Sequence, residues 1–207
     1  MAEAVRRIGA RKAPGNDGVP TRLWKDVAGV LAPRLIRLFD RCLSRGEFPV
    51  LWKEARMVLL PQPGPSPDSP SAYRPVYLLD GVGKLLERLA ATRLESHLFR
   101  SVPGRHNSQS GFRRERSTAD AVARVRSVVD GAERRGYVAL AVSLDVVNAF
   151  NSIPWDRIRR ALEFHRALAY LRGVVRAFLS DRSIAYTVRG GRMIERAVCR
   201  GVQRAPC

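Results

Sequence analysis

The feature that most constrains the fold is an apolar run that ends in a carboxylate. Residues 137–144 (YVALAVSL) have the length and apolar character of a strand, and Asp145 follows them directly. A carboxylate at the end of a buried strand costs free energy unless a partner compensates its charge. A bound cation, an arginine and the start of a helix are all open as that partner. The segment predicts a buried strand, with Asp145 as a candidate site residue.

The charge of the chain indicates the kind of partner. Lys and Arg total 37 against 19 acidic residues, which gives a net charge of +18 and an isoelectric point near 11.3. Almost all of these cations are arginines, whose planar guanidinium suits bidentate contact with phosphate, although biased codon usage also enriches arginine. Such an excess favours nucleic acid first and an acidic membrane surface second. A merely basic, solvated surface is the alternative.

Three cysteines are scattered along the chain without paired spacing, at Cys42, Cys199 and Cys207. This pattern indicates neither a disulfide framework nor a zinc site. The first 15 residues lack the apolar stretch of a signal peptide, and no run approaches the ~20 apolar residues of a membrane span. We therefore expect a soluble, intracellular protein with no membrane partner.

Apolar periodicity predicts a mixture of helices and short strands. Residues 22–44 have helical spacing with a break or a kink expected at Pro33, and a proline-rich loop separates two strands at 55–60 and 73–79. One face of a further helix is formed by apolar residues between Val82 and Leu94. These elements favour an α+β fold in which helices pack on short antiparallel strands.

The second half of the chain continues this pattern. Ser117 or Thr118 is expected to cap a helix whose buried stripe contains Val122, Val125, Val129 and Ala132. Residues 158–179 are expected to be mostly helical. The Gly190-Gly191 pair at the centre of 184–198 predicts a β-hairpin.

Four ordered motifs resemble one protein family. The segment SLDVVNAFNSIPW at 143–155 contains Asp-x-x-x-Ala-Phe, which is similar to the first catalytic motif of reverse transcriptases. KAPGNDGVP at 12–20 resembles the segment that opens the polymerase domain of non-LTR elements. LLPQPG and SAYRPVYLLDGVGKLLERL within 59–89 resemble the two finger motifs and their helix. NSQSGFRRERSTADAV at 107–122 resembles the signature before the catalytic strand. The chain thus resembles non-LTR (LINE-type) retrotransposon reverse transcriptases.

This resemblance implies the fingers and the start of the palm of a right-hand polymerase. Residues 1–135 would form the fingers-like region, and residues 136–207 an incomplete palm that carries the first catalytic motif. The implied function is RNA-directed DNA synthesis with an RNA template, a DNA primer and deoxynucleoside triphosphates. The implied cofactor is Mg²⁺, as two ions in a complete enzyme. An enzyme of a mobile element would act in the nucleus, at its target site.

The resemblance also assigns site residues. Asp145 would be catalytic, as a ligand of both metal ions, and a carboxylate oxygen suits magnesium. Arg74 would clamp triphosphate oxygens, although an ordinary surface arginine is the alternative. Asn148 and Ala149 would shape the sugar pocket through their backbone. Phe150 would crowd a ribose 2′-hydroxyl and so select deoxynucleotides, although a phenylalanine taken alone is more often a core residue.

Template contact is expected from a phenylalanine set among cations: Phe112, Arg113, Arg114 and Arg116. Such a cluster combines backbone contact with base stacking. A solvated charge run is the alternative interpretation of the same residues. The pattern leaves the template identity, the target site, the presence of an endonuclease and the oligomeric state open.

The sequence departs from the family pattern in three places. Gln62 stands where family members usually carry lysine, and QRAPC follows Val202 where PQGS is usual. The resemblance stops before the Tyr-x-Asp-Asp motif, so we expect the chain alone to be inactive as a polymerase. A non-catalytic, basic nucleic-acid-binding remnant is the alternative function. A basic structural protein is a weaker one, since it would not explain Asp145.

Overall fold

The computed structural model describes residues 13–64, 66–100, 106, 108–113, 115–146, 149–188 and 190–201. Within these ranges the chain forms seven α-helices and a four-stranded sheet, which confirms the α+β class. The helices are α1 (Thr21–Asp26), α2 (Ala28–Arg45), α3 (Gly81–Arg100), α4 (Thr118–Glu133), α5 (Ala149–Ser152), α6 (Trp155–Phe164) and α7 (Ala169–Leu179). The strands are β1 (Glu54–Pro61), β2 (Tyr73–Leu78), β3 (Arg182–Thr187) and β4 (Met193–Val198).

The sheet joins two hairpins that are far apart in the sequence. Its strand order is β2-β1-β3-β4, with antiparallel pairs β1–β2 and β3–β4. Both predicted hairpins are therefore confirmed. Strands β1 and β3 pair in parallel, with Ala55 opposite Ile184, so the sheet is mixed rather than purely antiparallel. The sheet crosses the expected boundary between residues 135 and 136, and that division into two domains stays a prediction.

The core lies between helices α2, α3 and α7. The side chains of Phe39, Leu43, Leu85, Leu86 and Val174 are almost completely buried there. Each buried side chain of this size contributes about 1.5–3 kcal/mol to the stability of the fold. The predicted finger helix, α3, supplies two of the five, so this helix is anchored in the core.

Two buried cations, Arg182 and Lys53, make contacts near the starts of β3 and β1. Arg182 donates a hydrogen bond from Nη1 to the Phe178 carbonyl at 3.1 Å, and its guanidinium lies 4.3 Å from the centre of the Phe178 ring. Burial lowers the pKa of Arg182 to about 10. Lys53, just before β1, donates from Nζ to Ser180 Oγ at 3.4 Å and lies 3.9 Å from the Asp181 carboxylate. The Lys53 contacts tie the approach of β1 to the residues just before β3, whereas the Arg182 contacts tie the start of β3 to the end of α7.

The N-terminal motif KAPGNDGVP packs on the start of α3. The Asp17 backbone N–H donates to the Asp80 carboxylate at 3.0 Å, and Gly15 lies so close to Asp80 that a Cβ atom would overlap it. Burial raises the pKa of Asp17, and the nearby charge of Asp80 acts in the same direction. The motif therefore has a structural role at the finger helix.

The helix is not broken at Pro33, and a kink there stays a prediction. The break lies at Val27, and Pro33 sits inside α2. Because α2 begins at Ala28, the proline falls early in the helix, where the N–H that it lacks would have met the carbonyl of Gly29. Gly29 is exposed, so water can satisfy that carbonyl.

The strand predicted at 137–144 is also wrong. Residues 137–146 form no strand, and Val138, Leu140 and Leu144 are 96%, 90% and 90% exposed. A strand is stabilised by backbone hydrogen bonds to a neighbour, and no described segment pairs with this run. Its apolar composition was therefore insufficient to make it a sheet element.

Helix α4 keeps its predicted cap and lacks its predicted buried stripe. The Ser117 side chain accepts the Asp120 N–H at 3.2 Å, and the Ser117 N–H donates to the Asp120 carboxylate at 2.6 Å. This reciprocal pair is a capping box, which starts the helix from local sequence alone. Val122 and Val125 are nevertheless 62% and 59% exposed, and α4 has no buried residue. The helix predicted from the apolar periodicity is present, but its apolar face is not buried against another element.

Candidate functional site

Asp145 lies in an exposed segment that forms neither helix nor strand, four residues before α5. The Ala149 N–H donates to the Val146 carbonyl at 3.3 Å, and α5 begins at Ala149. Asn148, predicted to shape the sugar pocket, lies outside the described residues. The exposed Asp145 carboxylate forms no ion pair with a described residue, so it is available to a cation.

This carboxylate fits a magnesium ligand in kind, because Mg²⁺ prefers oxygen ligands and retains several waters. The described residues contain no group of three or more His, Cys, Asp or Glu side chains that could hold a metal ion. The described part of the chain thus places one candidate ligand, Asp145, and no complete metal centre.

Two sequence-predicted site residues contact each other. The rings of Phe112 and Phe150 meet edge to face, with centroids 6.1 Å apart and planes at 76°. Phe112 is the residue predicted to contact the template, and Phe150 the one predicted to select the sugar. The structure therefore brings the signature at 107–122 against the motif at 143–155.

The arginines predicted at the template site differ in their surroundings. Arg113 donates from Nη1 to the carbonyls of His106 and Gln109, at 3.1 and 3.4 Å, so it braces its own loop. Arg116 is exposed, at the start of α4. Arg114 lies outside the described residues. Among the described members of this cluster, Arg116 is the better placed for a phosphate.

A contact that sequence reasoning missed holds the chain after Phe150 against Gly201. The Trp155 indole N–H donates to the Gly201 carbonyl at 2.8 Å, and the Gly201 N–H donates to the Ile153 carbonyl at 2.8 Å. Pro154 and Arg200 form an isolated antiparallel bridge between these bonds. We call this set the Gly201 clamp. The sequence offered only Trp155, beside Pro154, and Gly201, beside Val202, as signals for this contact.

The clamp closes one side of a small cavity. The cavity has a volume of about 240 Å³ and is lined by residues of β2, β3 and β4, by Asn151 of α5 and by residues 199–201. Ligand pockets for drug-sized molecules span about 300–1,000 Å³, so this space is smaller than such a pocket. Asn151 follows Phe150 directly, which places the cavity next to the predicted sugar gate.

Arg74 does not point toward this cavity. It lies on β2 opposite Leu60 and is exposed, whereas Tyr77 of the same strand lines the cavity. Side chains alternate between the two faces of a strand, so residues three apart lie on opposite faces. Arg74 thus lies on the face of β2 opposite to that of Tyr77.

Comparison with known families decides the identity of this arrangement. Residues 61–207 match the family model described as reverse transcriptase (RNA-dependent DNA polymerase). The chain belongs to the reverse transcriptase family. The matched region contains β2, the β3–β4 hairpin, Asp145, the Phe112–Phe150 contact and the Gly201 clamp. Reverse transcriptases are enzymes that act on nucleic-acid templates and deoxynucleoside triphosphates, generally with divalent metal ions.

Similar proteins come from non-LTR mobile elements. The chain is 31% identical over 206 residues to the probable RNA-directed DNA polymerase from transposon BS of Drosophila melanogaster, covering 98% of this chain and 22% of that protein. It is 28% identical over 203 residues to the RNA-directed DNA polymerase from mobile element jockey of the same species, covering 96% of this chain and 21% of that protein.

A third relative extends the comparison to another insect. The Pol polyprotein from type-1 retrotransposable element R1 of Bradysia coprophila is 29% identical over 202 residues, covering 97% of this chain and 19% of that protein. The chain thus spans about a fifth of the length of these relatives. No helix of the described residues has the length and hydrophobicity needed to cross a membrane.

Proposed function

We propose that this chain is part of an enzyme that copies an RNA template into DNA for a non-LTR retrotransposon, and that it forms the fingers and the start of the palm. The match of residues 61–207 to the reverse transcriptase family carries this proposal. The contact between Phe112 and Phe150 supports it, because it joins a residue proposed for template contact to one proposed for the sugar.

Each region of the site has a proposed role. Asp145 is exposed and forms no ion pair with a described residue, and it would be a ligand of Mg²⁺. When bound, that ion holds the primer hydroxyl and the triphosphate in line and neutralises developing charge. Phe150 would border the sugar of the incoming nucleotide. Arg74 would contact its triphosphate from the β1–β2 hairpin, although in the present conformation it lies on the face away from the cavity. We propose the nucleus as the place of action, because the relatives belong to mobile elements.

Replacing Phe150 with Ala is expected to weaken sugar discrimination. The ring is 42% exposed, so it can border a ligand, and without it a ribose 2′-hydroxyl no longer meets a steric barrier. We expect the affinity for cytidine triphosphate to rise relative to that for deoxycytidine triphosphate, measured by titration in the presence of a template–primer duplex. An unchanged ratio in a folded variant would make Phe150 a packing residue only.

Binding to nucleic acid is expected to depend steeply on salt, because the chain carries a net charge of +18. The logarithm of the affinity should fall linearly with the logarithm of salt concentration, by ~0.7 to 0.9 for each phosphate neutralised. Changing Arg116 to Ala should lower that slope by roughly one such increment. The slope is measured by titrating a labelled RNA–DNA duplex at several salt concentrations.

Arg37→Ala is a matched control for this measurement, since Arg37 is an exposed arginine of α2, away from the proposed template segment. Its slope should match that of the unmodified chain. Equal slopes for Arg116→Ala and the unmodified chain would place the template contacts elsewhere. Full salt-dependent binding in a protein that never extends a primer would instead favour the non-catalytic binding function.

A further inference from the structure

The loop that carries Phe112 is strained at the phenylalanine. Phe112 has a φ of 55°, in the left-handed region that side chains with a Cβ atom rarely adopt. Gly111, the residue before it, could take such a conformation at little cost and does not have a positive φ. Backbone strain of this kind persists where the surrounding structure holds a residue for a purpose. The strained backbone of Phe112 therefore indicates a role for its side chain.

The loop is braced on both sides of Phe112. Arg113 donates to the carbonyls of His106 and Gln109, and the capping box of Ser117 begins α4 a few residues later. These contacts involve backbone carbonyls and a helix start, so they define the path of the main chain. Phe112 is nevertheless 78% exposed, which excludes a role in the hydrophobic core. The braced loop therefore presents this ring at the surface.

The described contact made by this ring is with Phe150. The edge-to-face geometry, at 6.1 Å and 76°, is the arrangement that aromatic quadrupoles favour. Phe150 lies on α5, a single turn of four residues in which no residue is buried. The Phe150 ring is thus not buried in the core, and a neighbouring ring on a braced loop can restrict its rotation.

We propose that Phe112 is a positioning residue that holds the Phe150 ring at the sugar and thereby sets how strictly deoxynucleotides are selected. This inference rests on the proposed role of Phe150 as the sugar gate. Phe112 acts through Phe150 and need not touch the nucleotide itself. Removing the Phe112 ring should leave Phe150 in the chain with more rotational freedom, so a ribose hydroxyl meets it less often.

The test uses the whole 207-residue chain with Phe112→Ala, Phe112→Tyr, Phe150→Ala and the double alanine variant. Affinities for deoxycytidine triphosphate and cytidine triphosphate are measured with Mg²⁺ and a template–primer duplex. We expect Phe112→Ala to lower the deoxy-to-ribo affinity ratio by roughly two- to tenfold, the range that one aromatic pair spans. Phe112→Tyr keeps the ring and should keep the ratio. The double variant should show the same ratio as Phe150→Ala alone, because Phe112 influences sugar selection through that ring.

A second readout is independent of nucleotide binding. In chains labelled with 4-fluorophenylalanine, the fluorine resonance of Phe150 is assigned by its loss in Phe150→Ala. It should shift and sharpen in Phe112→Ala, because the neighbouring ring and its restriction are gone. Phe164→Ala is the control: Phe164 is 65% exposed and contacts His165, outside the site. It should change neither the ratio nor the Phe150 resonance.

The outcomes separate this inference from the function on which it rests. An unchanged ratio in Phe150→Ala removes the sugar gate itself. A lowered ratio in Phe150→Ala with an unchanged ratio in Phe112→Ala keeps the gate and overturns the positioning role. Additive effects in the double variant, or a Phe150 resonance that is indifferent to Phe112→Ala, also overturn it.

Discussion

Replacing Asp145 with Asn is expected to lower primer extension by roughly 100-fold or more in any polymerising protein that carries this segment. The amide oxygen is neutral, so it binds a divalent cation less strongly than a carboxylate does. Mutating a group that only supports a metal ligand typically lowers metal affinity or activity by about 10–100-fold. Asp145 is proposed as a ligand itself, so its loss should have at least as large an effect. Extension of a DNA primer on an RNA template with Mg²⁺ measures the effect.

Asp156→Asn is the matched control for this substitution. Asp156 is exposed in the first turn of α6 and pairs with Arg160 at 2.9 Å and with Arg159 at 3.5 Å. It therefore belongs to the helix surface, where ion pairs contribute about 0–1 kcal/mol. We expect Asp156→Asn to extend primers nearly as well as the unmodified protein. If Asp145→Asn did so too, the catalytic carboxylate would have to lie elsewhere.

Replacing Gly201 with Ala is expected to open the Gly201 clamp. Gly201 is buried and has a φ of 74°, a conformation that costs a residue with a Cβ atom about 1–2 kcal/mol. A Cβ atom there would also lie 2.5 Å from the Asn151 carbonyl oxygen, so backbone must move. We expect a lower midpoint in thermal unfolding, because the backbone of the clamp must move to accept the Cβ atom.

Gly29→Ala distinguishes this effect from a general response to losing a glycine. Gly29 lies in α2, has no positive φ and has open space around its Cβ position. Alanine favours a helix over glycine by up to about 1 kcal/mol, so this variant should be as stable as the original or slightly more stable. A Gly201→Ala chain that unfolded at the original temperature would show that the clamp contributes little to stability.

Local sequence determined much of the fold. The proline-rich loop between two apolar runs predicted the β1–β2 hairpin, and Gly190-Gly191 predicted the β3–β4 hairpin, because turn residues and strand alternation act between near neighbours. The capping box at Ser117 likewise formed from residues three apart. The ordered motifs also indicated the family, since each one places particular residue types at fixed spacing along the chain.

Contacts between distant segments were decided by the tertiary structure alone. The parallel pairing of β1 with β3 joins segments far apart in the sequence, and buried Lys53 contacts Ser180 and Asp181 beside it. The apolar run at 137–144 is a second case, because its composition predicted burial and the structure leaves it exposed. Whether a segment is buried depends on a partner that packs against it, and periodicity does not supply that partner.

The candidate site divides in the same way. The sequence by itself identified Asp145, Phe112 and Phe150, because their residue types sit in recognisable motifs. Only the tertiary structure set Phe112 against Phe150 and Gly201 against Trp155. Only it showed that Arg74 lies on the face of β2 opposite to Tyr77, which lines the cavity. Spacing along the chain determines which side chains are available to a site. The distances between those side chains depend on how loops and strands pack, and the free energy of the whole fold determines that packing.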